Sequence, residues 1–227
     1  MSQLAAFEAP ISLTERAVAA LRRDLLATRL APGEVISEAM AAERLDLGKA
    51  PIRAALARLA EEGLVAAVPR RGWVMSLVTI RDIHEVFDLR LMLEPEAARR
   101  AAGRVDAPML ARLDAVCAAG YDCADQDSTM AFLEANKAFH VAVADLGGNA
   151  RLARQIDRLL DESTRMLVLG LRRRDRTHEM AHEHHSLVEA LALGRAEEAA
   201  RLMREQVAES RRMVLAALTA PDAGIAI

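Results

Sequence analysis

The stretch from Val35 to Trp73 limits the possible folds more than any other part of the chain. Ser37 stands where it can cap a short helix, and Met40, Ala41 and Leu45 give that helix one apolar face. The tight link Asp46-Leu47-Gly48 follows. A second helix then carries Ile52, Ala55, Leu56 and Leu59 at spacings of three and four, which makes one buried stripe. Gly63 supplies a left-handed stop just past its end. Leu64 to Val68, a Pro69-Arg70-Arg71-Gly72 turn and Trp73-Val74-Met75 read as two short strands around a turn. Helix, tight turn, helix and hairpin in this order is the plan of a winged helix-turn-helix.

The charged positions on this frame suit duplex DNA. An α-helix fits the major groove, with its N-terminal end toward base edges and phosphates. Lys49 and Ala50 lie at that end, and Arg53 follows one turn later, off the Ile52/Leu56/Leu59 stripe and so facing outward. Arg70 and Arg71 form a cationic hairpin tip. Gly72 beside them, lacking bulk, is expected to let the tip approach a minor groove. The alternative is that these are solvated charges on a generic helical protein. The ordered combination of helix pair, stop glycine and basic tip argues against it.

These residues resemble the GntR family of bacterial transcription regulators. The likeness is carried by Pro32-Gly33, Ser37-Glu38, Leu45, Pro51-Ile52-Arg53, Ala55-Leu56, Arg58-Leu59, Glu62-Gly63-Leu64-Val65 and Pro69-Arg70-Arg71-Gly72. The chain departs from the family at Gly48-Lys49-Ala50, where the family carries Ser-Arg-Thr, and at Ala54, where it carries Glu. Lysine lacks the bidentate fork of arginine, and Ala50 lacks a phosphate-bonding hydroxyl. The departures bear on the operator sequence more than on DNA binding.

Charge alone would not suggest such a partner, since the net charge is −3. Residues 1–77 carry 10 basic and 9 acidic side chains, and the rest carry 20 and 24. The contact must therefore be a local patch, and modest affinity per subunit favours a homodimer on a palindromic operator with two half-sites. Cys117 and Cys123, six apart, suit neither a tight disulfide nor a zinc pair, so reduced thiols are expected. The N-terminus lacks a signal-peptide pattern and no apolar run reaches about 18 residues. A cytoplasmic protein without a membrane span is expected.

Outside the winged segment the chain reads as helix. Residues 1–11 read as loose. Ser12-Leu13-Thr14-Glu15 is a capping box opening a first helix whose inner face is Val18, Leu21, Leu25 and Leu26. Beyond residue 77 six helices are expected, at about 80–102, 107–122, 128–146, 150–173, 177–193 and 196–218, with Pro95 inside the first. Short links make them an antiparallel bundle. The expected fold is thus mainly α: residues 1–77 a winged helix-turn-helix for DNA, residues 78–227 an all-helical effector-binding and dimerisation domain. This half resembles the all-helical (FCD) effector domain of the FadR branch of the same family, in its smaller, VanR-like form.

Polar residues on apolar helix faces mark the candidate ligand site. Asn136 and His140 share a face with Leu133, Val143 and Ala144. His184 falls in the Met180/Leu187/Leu191 stripe, whereas His178 and His182 fall outside it. Gln206 lies beside Leu202, Met203, Val207 and Met213, and Arg90 beside the buried face of its helix. Arg90 offers a fork for a carboxylate, or could pair internally with Glu94. Phe87, Met92 and Met166 could wall the site. With Asn136, His140, His184 and Gln206 as a mixed donor and acceptor lining, the set suits a small carboxylate effector such as a hydroxylated acid. The resemblance implies a divalent metal held by one Asp and three His. Carried onto this chain those positions are Asn136, His140, His184 and Gln206, so two of four ligands are changed and zinc or nickel is expected to bind weakly. The leading expectation is therefore a metabolite-responsive regulator, with repression as the direction. A constitutive DNA binder with an inert bundle is the alternative. An enzyme is not expected: a di-metal bundle needs two Glu-x-x-His pairs, and Glu179-Met180-Ala181-His182 is the only one.

Overall fold

A computed structural model describes residues 11–105 and 120–219, together with positions 108, 112 and 115. The helix expected at 107–122 falls largely outside the described residues, as do Cys117 and the loose start up to residue 10. The chain divides into two compact units, Met1–Leu77 and Val78–Ile227.

In the first unit α1 (Leu13–Leu26) begins where the Ser12 hydroxyl accepts a bond from the Glu15 N–H. Ser37 caps α2 (Glu38–Leu45) through the Met40 N–H. The link to α3 (Lys49–Glu61) turns on Asp46, which adopts the left-handed conformation at φ 50° and ψ 49°, and Gly48 takes the N-cap of α3. Asp is among the few residues that visit that region at modest cost. Ile52, Ala55, Leu56 and Leu59 are buried as their spacing requires, and pack with Leu21, Leu25, Ile36, Val65 and Met75 in one core.

The sheet differs from the expected hairpin by one strand. Val35–Ile36 forms β1 and pairs antiparallel with β3 (Gly72–Met75), which also pairs with β2 (Val65–Val68). The order is β1-β3-β2. The third strand also gives Gly72 a structural reason. This residue sits at φ +104°, and a Cβ there would lie 2.5 Å from the Ile36 carbonyl oxygen. The missing side chain is required by the passage of β1.

In the second unit five helices are described: α4 (Ile80–Ala101), α5 (Gln126–Leu146), α6 (Ala150–Leu171), α7 (Thr177–Ala192) and α8 (Ala196–Thr219). Thr79 and Asp82 form a full capping box for α4. Pro95 lies buried inside α4 and removes the bond to the Leu91 carbonyl. Asp125 and Asn149 cap α5 and α6. Helix α4 packs along α8, α5 and α6, and α8 also packs on α6 and α7. Gly170 of α6 faces α8, where a Cβ would lie 2.8 Å from the methyl end of the flexible Met213 side chain. Phe87 and Met166 are core residues, but Met92 is 68% exposed and walls nothing. None of the described helices is long and apolar enough to cross a membrane.

The two glycines that bracket β2 separate backbone strain from collision. Gly63 has φ +73° and open space within 4 Å of where a Cβ would stand, whereas Gly72 combines positive φ with the Ile36 collision. Gly63→Ala is expected to cost about 1 kcal/mol. Gly72→Ala should cost at least about 2 kcal/mol more and loosen β1. Denaturant melts of the two variants check this; equal losses would show that β1 yields freely.

Candidate functional site

The cationic positions of the first unit lie on its exterior. Lys49 and Ala50, at the start of α3, are exposed, and so are Arg70 and Arg71 in the turn between β2 and β3. Arg70 holds a left-handed φ of 64° there. Arg53, one turn into α3, has a side chain 69% exposed, but its guanidinium is engaged. Nε lies 2.9 Å and 3.0 Å from the two oxygens of Glu38, and Nη2 lies 2.8 Å from Oε2. Bonding from Arg53 holds the Glu38 carboxyl below the usual carboxylate range, with help from the Trp73 indole and from the charge of Lys49. Glu38 therefore ties the start of α3 to β3, two residues from Arg71. The sequence reading gave Glu38 no role, although a glutamate following a helix cap next to a basic helix end was a usable signal.

In the second unit five predicted residues converge. Arg90, Asn136, His140, His184 and Gln206 come from α4, α5, α5, α7 and α8, and all line one small cavity with Glu183, Met180 and Val207. Each is at most 5% exposed. The cavity volume is about 10 Å³, room for about one water.

Glu94 organises this seam. Arg90 Nε donates to Glu94 Oε1 at 2.6 Å, and His140 Nδ1 lies 2.7 Å from Oε2. Arg90 Nη1 donates to Ser163 at 3.1 Å. Burial pushes the Glu94 carboxyl up, but the charges of Arg90 and His140 outweigh it and hold the group down at about 2. An ionised carboxylate can only accept, so His140 Nδ1 carries the hydrogen. The expected free fork is accordingly not there: Arg90 is neutralised by the residue one turn on, as the internal-pair alternative foresaw. His184 stacks on Phe139 with ring centroids 4.2 Å apart, edge-on to His140 at 5.7 Å. Burial, then the charge of His140, pushes its pKa down to about 3. Asn136 Oδ1 and both polar ends of the Gln206 amide have no hydrogen-bond partner among the described residues.

A divalent metal does not fit this donor set. Among the described residues no three His, Cys, Asp or Glu side chains gather in a geometry that could hold one. Asn136 and Gln206 bring no charge, and Glu94 is spent on Arg90 and His140. A dication would meet two imidazoles and two amides beside a guanidinium.

One residue in this region escaped the sequence reading. Arg176 lies in the Arg174-Asp175-Arg176 link between α6 and α7, yet it is 1% exposed. Its Nη2 donates to Glu183, which lines the cavity, at 2.5 Å. A charge run carries no periodicity, and the only hint was that Arg176 falls four residues before the buried Met180.

Residues 13–75 match the gntR family of bacterial regulatory proteins, and residues 85–209 match the FCD domain. The chain is 27% identical over 201 residues to the HTH-type transcriptional repressor GlaR of Escherichia coli, covering 82% of this chain and 89% of that one. It is 33% identical over 97 residues to an HTH-type transcriptional regulator of Agrobacterium vitis, covering 43% of this chain and 56% of that one. The match thus spans about half the length of the Agrobacterium protein. In fold it is similar to E. coli McbR/YncC, with a TM-score of 0.75 at 21% identity over 90% of this chain and 98% of that one. It is likewise similar to a GntR regulator of Rhodococcus sp. RHA1, with a TM-score of 0.72 at 23% identity over 89% and 97%.

The seam makes stability depend on pH. The folded pKa of His184 lies near 3, below its ordinary 6.5, so its share of stability is full above 6.5 and is lost as pH falls. The loss should approach about 1.4 kcal/mol per pH unit below 6.5. Glu94 adds a loss in the same direction only below its ordinary 4.5. Melts between pH 7 and 5 should show a fall in wild type that His184→Gln flattens; an equal slope in both would place the titration elsewhere. The donor set also bears on metal content. Purified protein should carry far less than one metal per chain, and Asn136→Asp with Gln206→His should create a zinc site. Elemental analysis checks both; stoichiometric zinc in wild type would overturn the donor-set argument.

Proposed function

Because this chain belongs to the GntR family of bacterial transcription regulators, with an FCD domain filling its C-terminal half, we propose that it represses a metabolic operon as a cytoplasmic homodimer on a palindromic operator. Residues 1–77 are its DNA-binding domain and residues 78–227 its effector-binding and dimerisation domain. Lys49, Ala50 and Arg53 meet the major groove, and Arg70 and Arg71 flank it, with Gly72 setting the turn beneath them. The observation that supports this reading best is the exposure of all four cationic side chains together with Glu38, which holds Arg53 and reaches Trp73. In this reading the helix end and the wing present one cationic face to the duplex, while Ile52, Ala55, Leu56 and Leu59 of α3 turn inward.

The effector in this reading is a small organic acid seated among Asn136, His140, His184 and Gln206. Three unpaired buried amide atoms in one seam support it, since an unmet buried donor or acceptor costs about 1–3 kcal/mol that a ligand group recovers. Arg90 orients His140 through Glu94 and leaves the ligand charge to another cation. Effector binding needs to change operator affinity by only about 1–3 kcal/mol to act as a switch. The small cavity favours a second reading, a constitutive binder with an inert bundle. The two differ in whether any small molecule stabilises the chain.

DNA binding is tested with an operator selected from random duplexes. Lys49→Ala and Arg53→Ala should each weaken it by about 1–3 kcal/mol without altering the helical content. The slope of log affinity on log salt should fall by about one for each phosphate that a variant no longer neutralises. Wild-type affinity in both variants would overturn the interface.

A further inference from the structure

We infer that Arg176 and Glu183 form an anion site next to the seam, in which Glu183 stands in for the carboxylate of a small acid ligand. The inference rests on the effector reading above and supplies the cation that Arg90 does not. Arg176 is 1% exposed, and it is a full charge with five N–H donors. Nη2 reaches Glu183 at 2.5 Å, whereas Nε and Nη1 have no partner among the described residues. A buried guanidinium held by one monodentate carboxylate is an expensive arrangement, and a ligand carboxylate that replaces Glu183 can take Nη2 together with Nε or Nη1 as a fork.

The pair is asymmetric in a way that suits exchange. The Glu183 side chain is 27% exposed against 1% for Arg176, so Glu183 can swing into water while Arg176 stays fixed. Glu183 also has reason to leave: burial pushes its carboxyl up despite Arg176, and Glu179 and Glu209 repel it. Tyr121 backs the site. Its hydroxyl accepts from the Arg176 N–H and donates to the Arg174 carbonyl, each at 3.4 Å, which ties down the backbone that carries the guanidinium.

The ligand class follows from the connection to the seam. Glu183 lines the same cavity as Asn136, His184 and Gln206. A molecule that displaces Glu183 therefore has its anionic end on Arg176 and its remainder against neutral amides. That describes a short carboxylic acid bearing an uncharged hydroxyl or amide group. Two full charges on one ligand would leave the second without a partner among Asn136, Gln206 and a neutral His184.

The test is titration of the full-length protein with lactate, glycerate and malonate, and with the uncharged lactamide and malonamide, read by calorimetry and thermal shift. Glu183→Gln keeps the shape and removes the competing charge, so it should bind lactate or glycerate about tenfold more tightly than wild type. Arg176→Gln should bind at least about tenfold more weakly, with Arg176→Lys between. Circular dichroism confirms folding; if Arg176→Gln fails to fold, Glu183→Gln still decides. Unchanged or weaker acid binding in Glu183→Gln overturns the anion site. Binding of the amides but not the acids overturns it too, yet leaves the effector reading standing. No binding of any probe to wild type or Glu183→Gln overturns both.

Discussion

The second unit is built around one carboxylate that two side chains on different helices need. Glu94 accepts from Arg90 on its own helix and from His140 on α5, and all three are nearly inaccessible. Without Glu94, Arg90 would be a bare charge in an apolar interior, a loss of about 3–5 kcal/mol. With it, Arg90 is neutral to its surroundings, His140 has a fixed tautomer, and α4 and α5 have one relative orientation. The use of that charge for an internal task also contributes to the poor fit of a dication, since Glu94 is no longer free to hold one.

Three of the glutamate–arginine pairs bear on the two sites and differ mainly in which partner water can reach. In Glu38–Arg53 the arginine is the more exposed side chain, at 69% against 24%. In Arg90–Glu94 both stand at 2%. In Arg176–Glu183 the glutamate is the more exposed, at 27% against 1%. The same chemistry thus gives an arginine free to leave, a fixed brace, and a glutamate free to leave. Water screens the first pair and hardly reaches the second.

The readable parts of the sequence were those where one rule decided the outcome. The Ile52-Leu56-Leu59 stripe, the Ser12 and Ser37 caps and the stop at Gly63 are local, and the structure has each of them. The seam was legible because Asn136, His140, His184 and Gln206 interrupt apolar faces. What was not legible depended on packing between distant segments. Two residues, Val35 and Ile36, carry too little pattern to announce a strand, so β1 and the true reason for Gly72 stayed hidden. Met92 fits an apolar rhythm yet points outward. Arg176 could not be singled out because nothing in Arg172 to Arg176 shows which arginine turns inward.

The Glu38–Arg53 pairing has a consequence for selectivity on the proposed interface. Any duplex that recruits Arg53 must first draw it from a bidentate carboxylate, and this handicap is the same for every base sequence. Random DNA, which offers the arginine only phosphate oxygens, merely replaces one anion with another. A guanine edge in register offers a planar pair of acceptors that matches the fork. An acid beside the reading arginine therefore lowers overall grip equally, and the gap between right and wrong sites is left to how well each edge matches the fork.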